Sequence, residues 1–193
     1  MVSAGMGVPS STRILADRLA AASVAALHEP VEVDVVELRP LAHALADHLL
    51  TGFPSGELAE AIETLRHADA LIAVTPVFSA SYSGLFKTFF DVLEPGVLDG
   101  LPVLIGATAG TARHSLVLEH ALRPLFTYLH AVVVPTGVFA ASADFGETGL
   151  ETRIQRAAGE LAALLTGASR ERARTLDDEL ADPTPFEDLL RGA

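Results

Sequence analysis

The stretch TPVFSASYSGLFKTFF, residues 75–90, decides how the rest of the chain is read. It follows ALIAV at 70–74, a short apolar run bounded by turn signals, which reads as a buried parallel strand. Pro76 has no N–H to give to a ladder, so the strand is expected to stop there. Small and polar residues follow: Ser79, Ala80, Ser81 and Ser83. From Gly84 onward, Leu85, Phe86, Phe89, Phe90 and Leu93 recur with helical spacing. Strand, polar loop and apolar-faced helix together make half of a βαβ unit. Ligands of open α/β sheets bind outside the carboxyl ends of the strands. The 76–83 loop is therefore the first place to look for a site.

Working outward, the same alternation repeats. The chain opens on Met1 and Val2 before a Gly/Ser loop over 3–12, which is little apolar sequence for a first strand. Either that strand is unusually short or the natural start lies upstream. Ser10, Ser11 and Thr12 are helix N-cap types, and Ile14, Leu15, Leu19, Ala22 and Ala26 continue with helical spacing. Residues 31–38, VEVDVVEL, alternate and read as a second strand, with the character of an edge. Short helices are expected over 41–50 and 56–67. The fourth strand spans 102–107, and a long helix runs from 113 to 130. The fifth strand spans 131–134 and resumes after Pro135 over 137–139, and a last helix covers 150–166. The expected fold is a three-layer α/β sandwich, flavodoxin-like, with a five-stranded parallel sheet of order 2-1-3-4-5. One domain covers 1–167, and 168–193 is a charged, proline-containing tail.

Composition excludes several chemistries. The 193 residues contain no cysteine, which removes disulfides, thiolate metal sites and thiol nucleophiles. A net charge of −12 argues against a nucleic-acid partner. No apolar run reaches the roughly 18 residues of a membrane span, and no leader precedes the first loop. A cytoplasmic protein is expected.

Order 2-1-3-4-5 brings three loops to one edge of the sheet: 3–12, 76–83 and 108–112. The first offers free N–H groups and the positive end of a helix dipole. It also offers three hydroxyls, Arg13 adds a positive charge, and residues 1–12 hold no acid. Those features suit a phosphate, although Ser-Ser-Thr is equally an ordinary helix cap. Gly5-x-Gly7 lacks the further glycine of a dinucleotide fingerprint, because Ser10 stands there, and no GxxxxGK[ST] occurs. The third loop, Thr108-Ala109-Gly110-Thr111, carries no bulk and admits a flat ring. The second presents backbone groups around Val77 and Phe78. A flat heteroaromatic with a phosphate tail, FMN, fits all three.

The segments TPVFSASYSGLFKTFFDVL, ATAGTARH and LEHALRPLF closely resemble the NAD(P)H-dependent FMN reductases of the flavodoxin-like superfamily. Within that family they are similar to the reductase components of two-component flavin monooxygenases of the alkanesulfonate type. The resemblance covers about residues 2–145. It implies that Ser10, Ser11 and Thr12 hold the FMN phosphate. It places Pro76, Val77, Phe78 and Ser79 along the ribityl chain and flavin edge, and Thr108, Ala109, Gly110 and Thr111 by the isoalloxazine. Ser3 is a further cofactor-binding candidate, although the first loop is a residue shorter than in some members and lacks their Ser-Pro-Arg. The implied activity is hydride transfer from NADH or NADPH to FMN, with reduced flavin passed to a partner monooxygenase. No catalytic side chain is required, because the cofactors carry the chemistry. An FMN-retaining quinone or azo reductase, or a flavodoxin-like electron carrier, are the alternatives. The family and the apolar helices after strands 3 and 4 imply a homo-oligomer, dimer or tetramer.

Other features have simpler readings. Ala80-Ser81-Tyr82-Ser83-Gly84 lacks the first glycine of a nucleophile elbow, so Ser83 is a helix-start residue. His43 and Asp47 lie on a solvated face, without a third metal ligand nearby. His114 lies near the flavin or on the surface, and Lys87 faces solvent. Phe86, Phe89 and Phe90 belong to a core or a subunit contact. Pro124 falls inside the 113–130 helix and leaves the His120 carbonyl without its partner. An irregular turn, a kink or a π-bulge, is expected around residues 119–123. The resemblance places a π-helix at this point, at a subunit interface, where some members have Tyr in place of His120.

Overall fold

A computed structural model describes residues 1–167; the charged tail expected over 168–193 lies outside the described residues. β1 (Val2–Ser3) lies in a parallel sheet between β2 (Val36–Glu37), at the edge, and β3 (Leu71–Phe78), at the centre. β5 (Pro102–Ala109) flanks β3 on its other side and runs beside it from Leu71↔Val103 to Pro76↔Thr108. β4 (Ser81–Tyr82) is a short antiparallel return on β3. The outer position beside β5 is shared by β6 (Val132–Val133) and β7 (Val138–Ala141), both parallel to it. They are two pieces of one edge strand, parted around Pro135. The order β2-β1-β3-β5-β6/β7 is the expected 2-1-3-4-5 once the hairpin strand β4 is set aside, with the fifth strand divided.

Helices cover both faces. On one, α1 (Ser11–Leu27) and α6 (Thr148–Gly167) pack together over Ile72, Val74, Leu104, Val138 and Ala140. On the other, α2 (Ala42–Thr51), α3 (Glu57–His67), α4 (Gly84–Asp91) and α5 (Arg123–Tyr128) bury Val2, Ala73, Val103 and Ile105. Strand residues alternate between the two clusters, as a two-sided parallel sheet requires. Phe86, Phe89 and Phe90 of α4 are buried with Phe126 of α5, and the Phe90 and Phe126 rings meet edge-on at 4.9 Å. They are core residues. Among the described residues no helix is long and apolar enough to cross a membrane.

Three expectations are corrected. The second strand does not span 31–38; only Val36–Glu37 pair. The Val36 N–H meets the Met1 carbonyl and the Leu38 N–H that of Ser3, so the ladder reaches only as far as β1 does. Val31, Val33 and Val35 are exposed. β3 also does not stop at Pro76. On the β1 side the last bond is from Ala4 N–H to the Val74 carbonyl. Pro76 is already at an edge there, where a missing N–H costs no ladder bond.

The third correction concerns residues 113–130, which do not form one helix. A 3₁₀ turn at Ala112–His114 is followed by a π-helical turn at Leu118–Leu122 and then by α5. The irregular turn is where Pro124 requires it, and the Arg123 N–H bonds the Leu118 carbonyl, five residues back. Arg123 also braces this turn through its side chain. It donates to Glu119 at 2.7 Å and to the Val134 and Pro135 carbonyls at 3.0 and 2.9 Å. The hydrogen bond from Arg123 is the main cause holding the Glu119 carboxyl below its usual pKa. His120 is exposed on the outside of the turn.

The fit of α1 on the sheet depends on Gly106. A Cβ there would lie 3.2 Å from Leu19 Cδ1 and 3.2 Å from Val74 Cγ2. Gly106→Val should destabilise the fold by about 1–3 kcal/mol through overpacking. Urea unfolding will show the loss as a lower midpoint with unchanged slope.

Candidate functional site

The first loop is shaped by Gly5. A Cβ at Gly5 would fall 2.1 Å from Ser10 Oγ, so only glycine lets the chain fold back over the helix start. Ser10 is the N-cap of α1, with extended backbone, and its hydroxyl accepts the Arg13 N–H at 3.2 Å. The first intrahelical bond joins Ile14 N–H to the Ser10 carbonyl at 3.0 Å. The N–H groups of Ser11 and Thr12 stand ahead of it, without intrahelical partners. Ser11 is exposed, whereas Thr12 is buried.

The second loop is a tight hairpin. Val77 pairs with Tyr82 and Phe78 with Ser81, so Ser79 and Ala80 form a two-residue turn. Both have positive φ, 48° and 70°, as a type I′ turn requires. Asn-Gly is the usual occupant, and an L-residue with a Cβ is strained there. The hairpin is anchored at its base by Thr75. That hydroxyl accepts the Ser83 N–H at 3.0 Å and donates to the Pro76 carbonyl at 3.0 Å. Ser83 in turn caps α4, accepting the Phe86 N–H at 3.2 Å.

The third loop leaves β5 level with Pro76. Thr108 is buried and Ala109 half-buried, while Gly110 and Thr111 are exposed. The Thr108 hydroxyl is hydrogen-bonded to that of Thr12 at 2.8 Å. The first and third loops are therefore directly joined, and the second lies between them on β3.

Ser10, Ser11, Thr12, Pro76, Val77, Phe78, Ser79, Thr108, Ala109, Gly110 and Thr111 thus lie at one edge of the sheet, by the switch point between β1 and β3. Ser3 sits deeper, within β1. It is 1% exposed and its hydroxyl has no hydrogen-bond partner among the described residues. Arg13, which the sequence makes an attractive charge for a phosphate, is turned to carboxylates instead. It meets Asp17 at 2.7 Å and Glu37 at 3.0 Å. Lys87 pairs with Asp91, and Arg113 and His114 are exposed beyond the third loop. Met6 and Val8 in the first loop and Phe78 in the second are exposed apolar side chains.

Two structural residues were passed over in the sequence. Thr75 is fully buried, and a polar side chain at the end of an apolar strand is the signal that marks it. Gly5 is legible only once its distance from Ser10 is known. The strained turn gives a test. Replacing Ala80 with glycine removes a left-handed penalty of about 1–2 kcal/mol and restores about 0.5–1 kcal/mol of unfolded-state entropy. Ala80→Gly should therefore raise the thermal midpoint slightly, and a fall would show that the turn is not strained.

Comparison with known proteins identifies the family. The model of the family described as NADPH-dependent FMN reductase matches residues 1–146. An FMN reductase (NADPH) of Pseudomonas aeruginosa is 39% identical over 173 residues, covering 87% of this chain and 92% of the relative. An NADH-dependent FMN reductase, SfnF, of Pseudomonas fluorescens is 39% identical over 171 residues, covering 86% and 90%. Among solved structures, an oxidoreductase from Corynebacterium diphtheriae superposes with a TM-score of 0.84 at 49% identity, covering 87% of this chain and 96% of that one. With its sheet order, its three loops and these matches, the chain belongs to the NADPH-dependent FMN reductase family.

Proposed function

We propose that this enzyme binds FMN across the three loops, reduces it with NADH or NADPH, and supplies reduced flavin to a partner monooxygenase in the cytoplasm. The observation that carries the placement is the convergence of the α1 N-terminus with the ends of β3 and β5, tied by the Thr12–Thr108 bond. FMN supplies the hydride acceptor when bound. The chain's own groups bind and orient it. The Ser11 and Thr12 N–H groups and the Ser11 hydroxyl face a phosphate at the positive end of a 17-residue helix. Backbone groups of the 76–79 segment line the ribityl chain, and the loop at 108–111 leaves room for the ring.

The withdrawal of Arg13 into ion pairs supports exchange over retention. Without it, the phosphate meets neutral donors and a dipole, and no full charge from the first turn of the helix. Charge-assisted bonds are about twice as strong as neutral ones, so this site holds FMN less firmly than an arginine clamp would. Release of reduced flavin to a second enzyme requires that property.

Replacing the exposed Ser11 with Asp puts a like charge at the phosphate. Ser11→Asp should weaken FMN binding at least about tenfold, a loss of roughly 1.4 kcal/mol, in a fluorescence-quenching titration. Steady oxidation of NADH or NADPH should depend on added FMN, and gel filtration should strip most of the flavin. Unchanged affinity in the variant would move the phosphate elsewhere, and flavin that survives gel filtration would favour a retained cofactor.

The surface also carries large apolar groups away from the loops. Leu49, Leu50 and Phe53 at the end of α2 are 57%, 87% and 78% exposed, and Tyr128 is 83% exposed. We read the cluster at the end of α2 as an association surface, which fits a homo-oligomer. Light scattering should give a multiple of 20.2 kDa at working concentration, and a monomer would overturn the assembly.

A further inference from the structure

Thr12 and Thr108 were both expected to touch FMN, yet each spends its hydroxyl on the other. They are 2% and 3% exposed and stand 2.8 Å apart, across 96 residues of sequence. We propose that this hydroxyl pair is a positioning element that fixes the spacing between the phosphate end and the ring end of the flavin site, and so favours FMN over its dephosphorylated form. The proposal rests on the FMN reading given above.

The placement supports it. A threonine inside a helix commonly bonds the carbonyl four residues back. Thr12 is in the first turn of α1, where no such helical carbonyl exists, so its hydroxyl is available for a tertiary partner. Its β-branched side chain has few rotamers, which gives the bond a defined direction. The rest of the contact between α1 and β5 is apolar, Leu15 and Leu19 against Leu104 and the bare Gly106. Apolar contact sets how closely the helix approaches but is non-directional along its axis. The hydroxyl pair supplies the missing constraint. It joins the first turn, whose free N–H groups receive the phosphate, to the last residues of β5, which precede the ring loop.

The consequence is selective. FMN engages both ends at once and gains from a spacing set in advance, whereas riboflavin engages the ring end alone. Removing one hydroxyl also leaves the other buried without a partner. The loss should therefore fall on FMN more than on riboflavin. Because the two residues act as one bond, their effects should not add.

The test is binding of FMN and riboflavin to the full chain and to Thr12→Val, Thr108→Val and the double variant. The wild type should prefer FMN. Each single variant should lose about fivefold or more in FMN affinity, from one bond of about 1 kcal/mol or more, with a smaller loss for riboflavin. The double variant should be no worse than the singles, and Thr12→Ser and Thr108→Ser should keep the FMN preference. Equal losses for both flavins, or additive losses, would overturn the positioning role. If a valine variant does not fold by circular dichroism, the serine variants decide. Loss of FMN preference in either, with its hydroxyl present, overturns the proposal. A wild type that binds neither flavin would defeat the FMN reading itself, and the proposal with it.

Discussion

The close approach of α1 to the centre of the sheet is the constraint on which the site depends. It is permitted by the absence of a side chain at Gly106, whose place is filled by Leu19 and Val74. A helix held at this distance has its first turn carried to the carboxyl edge of β3 and β5. The free N–H groups then stand beside the ends of both strands, with no further machinery. The same helix buries Leu15, Ala16 and Leu19 completely, so its position is secured by the core. Packing and binding geometry are here one constraint.

Much of this was legible. The parallel order follows from alternating strands and helices with apolar runs at 70–74 and 102–107, since only crossovers joined by helices satisfy that pattern. The N-cap at Ser10 and the helix start at Ser83 are short-range chemistry, and local sequence reports such chemistry well. Local sequence marks Thr75 as a polar residue ending an apolar strand, but what Thr75 and Gly5 do was not legible in the same way. Their roles depend on residues brought near by the fold, and no local pattern records a distance. The Arg13 side chain is the instructive error. Sequence places its charge beside the phosphate loop, but Glu37 belongs to a neighbouring strand, and pairing across the fold took the arginine away.

The two places where the backbone breaks ordinary rules have different physical origins. The π turn at Leu118–Leu122 follows from Pro124, because a proline in the next turn withholds a donor and the ladder shifts by one residue. That consequence is computable from one residue. The hairpin turn has no such cause. Ser79 and Ala80 are poor occupants of left-handed positions, and the sequence alone argues against the turn. The turn forms because both its ends are fixed elsewhere, β3 in the sheet and Ser83 at the α4 cap, with Thr75 closing the base. Strain of this kind persists where the surroundings over-determine it, and such places cluster at ligand sites.

Electrostatics completes the picture. The chain carries a formal charge of −12, yet it belongs to a family whose substrates are anions. Long-range attraction cannot draw them in, because at ionic strengths near physiological the field decays over about 8 Å. What matters is the charge within that distance of the loops. Residues 1–12 contain no acid, and Arg13 pairs with both Asp17 and Glu37, offsetting one of their two negative charges. The salt bridges of Arg13 are exposed and add little to stability. Their effect on the site is larger, since they offset part of the negative charge beside the first turns of the helix. The local field is then left to the α1 dipole, which is positive at that end. An acidic protein can thus present an anion-binding edge without an exposed basic patch, provided the arginine beside the helix start offsets nearby acid and that start is left open.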